Sequence, residues 1–385
     1  MLYSTDNTVL FLPGPVAMHP RVYEAMNRPI YGHRTDHFRK LYAETVEMIK
    51  PVFGTGEADA YILTGSGTLG LEAGIINFIE PGDAVISMSA GKFGERSSQI
   101  ARLYAKEVIE VKSPYGSPLL PEQLEEAFEK TSASLVTITH NETSTGVLNP
   151  LEDIVKIAHK HGAMVMADTI TSAGGDWVKM DEWDVDIAVS GSQKCFGIPP
   201  GLAFVMASKK AVDRMMSIQR PPSYYADLVR FKNSVEKGSG TPFTPAITLV
   251  YGLHESLKLV HEEGLENRIN RHRLMGKVIR EAALAMGLTL FAKEGYYSNT
   301  VTAINIPEGI EWKDLNKTLQ KLGVIVAGGQ GSMKGKIFRV GHMNIFGPRE
   351  ALLAVSSVET ALKKLGYDTN AQGTKRAQEI LAETL

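Results

Sequence analysis

Between positions 58 and 206, apolar residues occur in short continuous runs separated by segments of helical periodicity. The runs predict seven strands, at 60–63, 84–88, 107–111, 135–139, 164–167, 187–189 and 202–206. Continuous rather than alternating runs are typical of strands covered on both faces. The segments between them, such as 121–130 and 151–161, predict amphipathic helices. Alternating strands and helices indicate an α/β fold with a doubly wound, mostly parallel sheet.

The pattern changes after the last of these runs. A long helical pattern extends from about 244 to 265, and strands are predicted at 300–306, 323–326 and 336–340 among helices. The tail, 368–385, is rich in alanine, glutamate and lysine and predicts a surface helix. We therefore expect an N-terminal extension (1–15), a large domain (16–250) and a smaller α+β C-terminal domain (251–385).

Composition narrows the class of protein. The 385 residues carry a net charge of −2, which gives no sign of a nucleic-acid or membrane-surface partner. No apolar stretch approaches the roughly 20 residues needed to cross a bilayer, and the first residues lack the pattern of an export signal. A single cysteine, Cys195, rules out an intramolecular disulfide and favours a reducing compartment. We expect a cytoplasmic protein.

Lys194 is the first candidate for chemistry. It follows the apolar run 186–190 and precedes a Phe-Gly-Ile-Pro-Pro-Gly turn in which the prolines cannot continue a helix. A lysine on a rigid turn at the end of a buried strand suits a Schiff-base amine, because partial burial lowers its pKa. The alternative is an ordinary lysine that ends a strand.

Two further strand ends carry candidate groups. The glycine-rich segment 64–70 precedes a helix, so its free N–H groups predict an anion site. It also fits the G-x-G-x-x-G pattern of a dinucleotide-dependent oxidoreductase, but the next strand lacks the acid that would bind the ribose. Asp168 follows 164–167 and either caps a helix or holds a proton on a heterocyclic nitrogen. Together with Lys194, these groups match the phosphate, ring nitrogen and aldehyde of pyridoxal phosphate.

Several motifs in order make the chain resemble class V aminotransferases of the pyridoxal-phosphate fold-type I enzymes, in particular the alanine–glyoxylate and serine–pyruvate aminotransferases. The resemblance runs from the Phe-Leu-Pro-Gly-Pro segment at 11–15 to about residue 365. It is carried by Thr-Gly-Ser-Gly-Thr at 64–68, His-Asn-Glu-Thr-Ser-Thr-Gly at 140–146, Ala-Asp at 167–168, Ser-Gly-Ser-Gln-Lys at 190–194 and Phe-Arg-Val-Gly at 338–341.

The resemblance implies a role for residues in each motif. Lys194 and Asp168 would be catalytic, as the Schiff-base lysine and the partner of the pyridine nitrogen. Arg339 would bind the substrate α-carboxylate with Gly14 beside it, and His140 would be structural. The remaining cofactor contacts implied by the resemblance are Ser66, Gly67, Thr68, Phe93, Thr143, Ile170, Gln193, Thr241 and Thr244. No metal is implied.

The sequence allows other roles for some of these positions. Phe93 stands where many relatives have tryptophan and is otherwise an ordinary core phenylalanine. Thr241 and Thr244 would reach the phosphate of the neighbouring subunit in a homodimer with shared active sites, although some relatives have tyrosine in place of Thr241. His33 and Arg34, near the expected entrance, either touch substrate or cap the next helix.

The implied activity is a ping-pong transfer of the amino group of a small amino acid, such as serine or alanine, to a 2-oxo acid such as glyoxylate or pyruvate. An aspartate aminotransferase of the same class is one alternative, with Arg34 as the second cation. A cysteine desulfurase or lyase of the same fold is another, but Cys195 beside Lys194 is poorly placed to attack a substrate. The sequence leaves the amino donor and acceptor open.

Overall fold

The computed structural model describes residues 8–218 and 221–384. Its strands are β1 (Val9–Phe11), β2 (Asp59–Thr64), β3 (Ala84–Ser89), β4 (Glu107–Lys112), β5 (Leu135–Thr139), β6 (Asn141–Glu142), β7 (Val147–Leu148), β8 (Met164–Asp168), β9 (Ile187–Gly191), β10 (Leu202–Ala207), β11 (Val301–Asn305), β12 (Val324–Gly328) and β13 (Ile337–Gly341).

Helices connect these strands and cover both sheets. They are α1 (Pro20–Met26), α2 (Asp36–Ile49), α3 (Gly67–Ile76), α4 (Lys92–Tyr104), α5 (Pro121–Phe128), α6 (Leu151–Lys160), α7 (Lys209–Ser217), α8 (Leu228–Glu236), α9 (Ile247–Glu263), α10 (Leu265–Ala285), α11 (Trp312–Lys321), α12 (Pro348–Lys364) and α13 (Gly373–Thr384). Short 3-10 turns occur at Lys50–Phe53 and Gly331–Met333. Within the described residues, no helix is long and apolar enough to span a membrane.

The seven apolar runs form one seven-stranded sheet, in the order β2-β10-β9-β8-β5-β3-β4, which confirms the predicted strands. Strands β4, β3, β5, β8 and β9 pair in parallel. Strand β10 is antiparallel to both of its neighbours, β2 and β9. The sheet is therefore mostly parallel, as predicted, and β2 runs in the same direction as β9.

Burial on both faces explains the continuous apolar runs. Along β10, Leu202, Phe204 and Met206 enter one hydrophobic cluster. The alternate residues Ala203, Val205 and Ala207 enter a second cluster on the opposite face. Side chains of a strand alternate between faces, so a strand between two layers of helices has no polar face to show in its sequence.

A smaller four-stranded sheet has the order β1-β12-β13-β11, and its last three strands are those predicted at 300–306, 323–326 and 336–340. The sequence pattern did not reveal β1. This strand comes from the segment assigned to an N-terminal extension and pairs in parallel with β12. Its Phe11 is buried in a third hydrophobic cluster, the core of the smaller sheet. Three residues are too few to show periodicity, and β1 obtains its partner from a strand about 315 residues away.

The predicted helix at 244–265 begins three residues later, at Ile247, because Pro245 disfavours helical conformation in the residue before it. Residues of α9 pack in the core of the larger sheet, whereas α10 packs in the core of the smaller one. The two helices meet at Gly264, which has a φ of 81°. The tail forms α13 and buries Ala377, Ile380 and Leu381 against the smaller core. The domain boundaries remain predictions.

Candidate active site

The register of the large sheet brings three candidate segments to one edge. Thr64, at the carboxyl end of β2, pairs with Leu202, and Gly191, at the end of β9, pairs with Ala203 beside it. Asp168, at the end of β8, pairs with Val189 of β9. Ligands of open α/β sheets bind outside the carboxyl ends of their strands. The candidates for phosphate, amine and ring-nitrogen contacts therefore lie along one edge.

Lys194 lies in the turn after β9 and is only 8% exposed. Its carbonyl accepts a 2.9 Å hydrogen bond from Gly197 N, which closes the turn, and its Nζ donates to the Pro13 carbonyl. Burial, followed by the nearby Arg339 charge, lowers the pKa of Lys194 to about 8. A substantial neutral fraction near pH 8 is what a nucleophilic or proton-accepting amine requires.

Gly14 leaves room for that amine. A methyl group on Gly14 would lie 2.6 Å from Lys194 Nζ, and the φ of 102° at Gly14 is one that residues with side chains rarely adopt. The sequence assigned Gly14 to the substrate site, and the structure places it directly against the lysine side chain.

Asp168 is 3% exposed, and its Oδ1 accepts a 2.9 Å hydrogen bond from Ile170 N. The residues after it form turns and not a helix, so the alternative role as a helix cap is wrong. Burial raises the pKa of Asp168 to about 7, against the opposing effect of the Ile170 hydrogen bond. A buried carboxyl group of this kind is stabilised in its charged form when a cationic N–H group lies beside it.

The segment between β2 and α3 is the one that the sequence predicts to bind an anion. Ser66 is the N-cap of α3 but its side chain makes no capping hydrogen bond. Leu69 N donates to the Ser66 carbonyl at 2.8 Å, whereas the N–H groups of Gly67 and Thr68 have no partner among the described residues. Gly67 packs so closely that a methyl group on it would lie 2.8 Å from Ile170 Cδ1. Gln193 lies next to this segment, since a methyl group on Gly191 would be 3.2 Å from Gln193 Oε1 and also 3.2 Å from Gly67 Cα.

The Gln193 side chain offers a further group to an anion. Its Oε1 is buried without a hydrogen-bond partner. The two ends of an amide have nearly the same shape, so the same position can present the NH₂ group. An uncapped helix start, glycines in close contact and an unpartnered amide are a donor set that fits a phosphate group.

Arg339 and Thr143 lie together. The hairpin of β6 and β7 holds Thr143, whose Oγ1 is 2.9 Å from Thr171 Oγ1. Arg339 of β13 is 4% exposed and donates to the carbonyls of Thr143 (3.0 Å, from Nη1) and Gly328 (2.7 Å, from Nη2, and 3.1 Å, from Nε). Burial lowers the pKa of Arg339 to about 10. One N–H on each terminal nitrogen remains for a carboxylate, which suits a bidentate contact.

A buried carboxylate that the sequence analysis did not single out organises the same region. Glu142 is fully buried and accepts hydrogen bonds from the N–H groups of Phe93 (3.2 Å) and Gly94 (3.1 Å) at the start of α4. It also accepts from Ser144 N at 3.1 Å, while Lys92 N donates to Ser144 Oγ at 2.9 Å. Glu142 and Ser144 therefore cap α4 and fix the backbone of Phe93.

Arg96 is a second residue that received no role from the sequence. It lies one turn after Phe93 on α4, with its guanidinium carbon 4.9 Å from the centroid of the Phe93 ring. Its Nη1 donates to Thr68 Oγ1 at 3.3 Å. The spacing of three residues from Phe93 puts both on one helix face, and this spacing was the available signal in the sequence.

Thr241 and Thr244 do not contact residues 66–68 of their own chain, the segment that we call the phosphate cradle. In the described part of the chain, neither makes a hydrogen bond to 66–68, and the Thr241 hydroxyl is buried without a partner. Arg34 donates to the Thr241 carbonyl at 2.7 Å, and His33 Nε2 lies 3.5 Å from Thr244 Oγ1. His33 and Arg34 therefore contact the segment that contains both threonines.

Two other residues have structural surroundings. His140 is buried, its Nδ1 is 3.0 Å from Ser172 Oγ, and burial lowers its pKa to about 4, which keeps it neutral. Cys195 is 1% exposed, and burial raises its pKa to about 12. A thiol in this state is a poor nucleophile, and it lies in a closed turn and not on an exposed loop.

Comparison with known proteins agrees with this geometry. The family model described as aminotransferase class-V matches residues 19–344. An uncharacterized aminotransferase of Methanocaldococcus jannaschii is 42% identical over 97% of this chain and 97% of its own. A Synechococcus protein named as the small subunit of a soluble hydrogenase is 36% identical over 98% of this chain and 99% of its own.

Solved structures show the same architecture. The crystal structure of ureidoglycine–glyoxylate aminotransferase from Bacillus subtilis has a TM-score of 0.93 and 31% sequence identity, and covers 97% of this chain and 98% of its own. The similar proteins carry different names, and what the comparison establishes is the family and the fold. The chain belongs to the class-V aminotransferase family.

Proposed function

We propose that the protein is a pyridoxal-phosphate-dependent aminotransferase that moves the amino group of a small amino acid to a 2-oxo acid. The observation that carries the proposal is the arrangement at one sheet edge of a buried lysine with its pKa lowered to about 8 and a buried aspartate with its pKa raised to about 7. Perturbed pairs of this kind, next to an anion site, are typical of catalytic centres.

The bound cofactor supplies an electron sink for the negative charge that develops at the substrate α-carbon. Asp168 would hold a proton on the ring nitrogen, because its carboxylate stabilises a cationic N–H group in a buried site. The Lys194 Nζ would accept the proton from the substrate α-carbon and later donate it, acting in turn as base and acid. Ser66, Gly67, Thr68 and Gln193 hold the phosphate, and Phe93, Thr143 and Ile170 surround the ring.

Arg339 selects the substrate class. Its two free N–H groups bind the α-carboxylate that amino acids and 2-oxo acids share. The glyoxylate in the name of the Bacillus subtilis relative supports a small acceptor such as glyoxylate or pyruvate, and a small donor such as serine or alanine. The buried Cys195 gives no support to a desulfurase reaction.

The site is completed by a second copy of the chain. The Thr241 hydroxyl, buried without a partner, and Thr244 belong to a segment held by Arg34 and His33. A buried hydroxyl without a partner is unfavourable, and the phosphate of a neighbouring subunit would supply one. We therefore propose a homodimer with shared active sites. The single cysteine is consistent with a cytoplasmic location.

Replacement of Lys194 with alanine tests the assignment. Lys194→Ala should abolish transamination and the absorbance of the lysine-linked cofactor, because the amine that forms this link is removed. Lys209→Ala, at an exposed position in α7, is the matched control and should retain both. Normal turnover by Lys194→Ala would refute the proposal.

A panel of amino donors assayed against pyruvate, glyoxylate and 2-oxoglutarate identifies the substrates. Serine or alanine with glyoxylate or pyruvate should give the highest kcat/KM. A preference for aspartate would favour the alternative aminotransferase. Arg34 is the cation suggested for it by the sequence, but Arg34 donates to the backbone of its own chain at Ser239 and Thr241.

A further inference from the structure

We propose that Arg96 is a ligand of the cofactor phosphate and supplies the positive charge that the α3 site lacks. The inference rests on the proposed function and adds to it a residue that neither the motifs nor the resemblance assigned.

The phosphate cradle formed by residues 66–68 carries little positive charge. It offers N–H groups and hydroxyls, and the first turn of α3 reads Gly-Thr-Leu-Gly with no charged side chain. A helix N-terminus contributes the equivalent of about half a positive charge. A phosphate monoester carries about 1.5 to 2 negative charges near pH 7. A site with partial burial needs a further cation to balance it.

Arg96 is placed to be that cation. Its Nη1 already contacts Thr68, one of the cradle residues, at 3.3 Å. Its charge lowers the pKa of Asp168 and of Lys194, so the guanidinium acts on the same small volume as the two catalytic groups. The side chain is partly buried, and no carboxylate of the described residues forms an ion pair with it.

The other positive groups at this edge of the large sheet have different binding partners. Lys194 would form the link to the cofactor aldehyde under the proposed function. Arg339 donates to the carbonyls of Thr143 and Gly328, and its remaining N–H groups would bind the substrate carboxylate. The N-terminus of α4 is occupied by Glu142 and Ser144. Within the residues that the structure describes, Arg96 is thus the cation that contacts the cradle and has no other anionic partner.

The experiment compares pyridoxal phosphate with pyridoxal, which has the same ring and aldehyde but no phosphate. Cofactor-free wild type, Arg96→Met and Arg96→Lys are titrated with each compound, and binding is followed by the change in visible absorbance. Arg102→Met is the matched control, because Arg102 lies on the same helix and pairs with Glu110 at 3.0 Å, away from the cradle.

Arg96→Met should weaken binding of pyridoxal phosphate about 10- to 100-fold, as expected for loss of a charge-assisted hydrogen bond. Its affinity for pyridoxal should stay within about twofold of the wild type. Arg96→Lys should recover part of the loss, and Arg102→Met should bind both compounds normally. Inorganic phosphate should compete with pyridoxal phosphate less effectively in Arg96→Met than in the wild type.

Other outcomes overturn the inference. An equal loss of affinity for both compounds would mean that Arg96 acts through Phe93 or through folding. Unchanged affinity for both, together with a raised KM for a dicarboxylic substrate, would make Arg96 a substrate ligand instead. Failure of the wild type to bind either compound would refute the proposed function itself, and is distinguishable because it precedes any comparison of variants.

Discussion

At the scale of single residues, one physical effect prepares both catalytic groups. Burial disfavours charge, so it lowers the pKa of Lys194 to about 8 and raises the pKa of Asp168 to about 7. The two values approach each other and neutral pH from opposite sides. The same burial destabilises the cofactor-free protein, because each group is held where its charged form is poorly solvated.

Replacement of Asp168 with asparagine should therefore stabilise the cofactor-free protein at high pH. Asp168 retains its proton to about pH 7 when folded and to about pH 4 when unfolded, so folded protein binds more protons between these values. Stability must then fall as pH rises through this window. Relative to wild type, Asp168→Asn should gain up to roughly 4 kcal/mol between pH 4 and pH 8.

Urea unfolding of the cofactor-free proteins at pH 4.5 and pH 8 measures this difference. Asp213→Asn, at an exposed position in α7, should show no such pH dependence. A stability difference between Asp168→Asn and wild type that is the same at both pH values would contradict the raised pKa.

At the scale of elements, the connection from β3 to α4 depends on close packing. Gly91 is the N-cap of α4, and its φ of 175° is extended backbone that any residue adopts, so space and not strain requires glycine there. A methyl group on Gly91 would lie 2.5 Å from Ser144 Oγ and would also overlap the Glu142 carboxylate. The side chains that cap α4 therefore also occupy the room next to its first residue.

Gly91→Ala should lower the free energy of unfolding by about 2 kcal/mol, as is common for overpacking of a buried site. It should also weaken cofactor binding, because the backbone of Phe93 is held by the same carboxylate. Gly82→Ala is the control, since a methyl group on Gly82 meets nothing within 4 Å. Chemical unfolding and cofactor titration give both readouts, and equal stability of the two variants would contradict the packing argument.

At the scale of the whole molecule, a buried arginine connects the hydrophobic cores of the two sheets with the turn that contains Lys194. Arg268 of α10 is 4% exposed and donates to the carbonyls of Cys195 (2.7 Å) and Gly174 (3.0 Å). It also donates to Asn344 Oδ1 at 3.0 Å, while Asn344 Nδ2 donates to the Ala17 carbonyl at 2.8 Å. One guanidinium thus links the smaller core, the turn that carries the catalytic lysine and, through Asn344, the N-terminal segment.

Arg268→Met should destabilise the protein by about 3 kcal/mol, because it leaves buried carbonyls without donors. Arg273→Met, at an exposed position in the same helix, should change stability by no more than about 0.5 kcal/mol. Urea unfolding measures both. If Arg268→Met were no less stable than Arg273→Met, the hydrogen bonds of Arg268 would contribute nothing to the free energy of unfolding.

The sequence by itself determined the seven strands of the large sheet, the three later strands of the small sheet and the order of the motifs. Each of these depends on local pattern, because a buried strand needs apolar residues on both faces and a helix start leaves N–H groups free. Lys194, Asp168 and the loop 64–70 were identifiable for the same reason, since each follows an apolar run within a few residues.

Only the tertiary structure decided which distant segments meet. It placed β10 antiparallel to its neighbours, added β1 to the small sheet and refuted the role of Asp168 as a helix cap. It also brought Glu142 to the start of α4 and Arg96 to Thr68. A sequence pattern shows which faces of an element are buried but not what covers them, because the partner across a contact is chosen by packing of the whole chain.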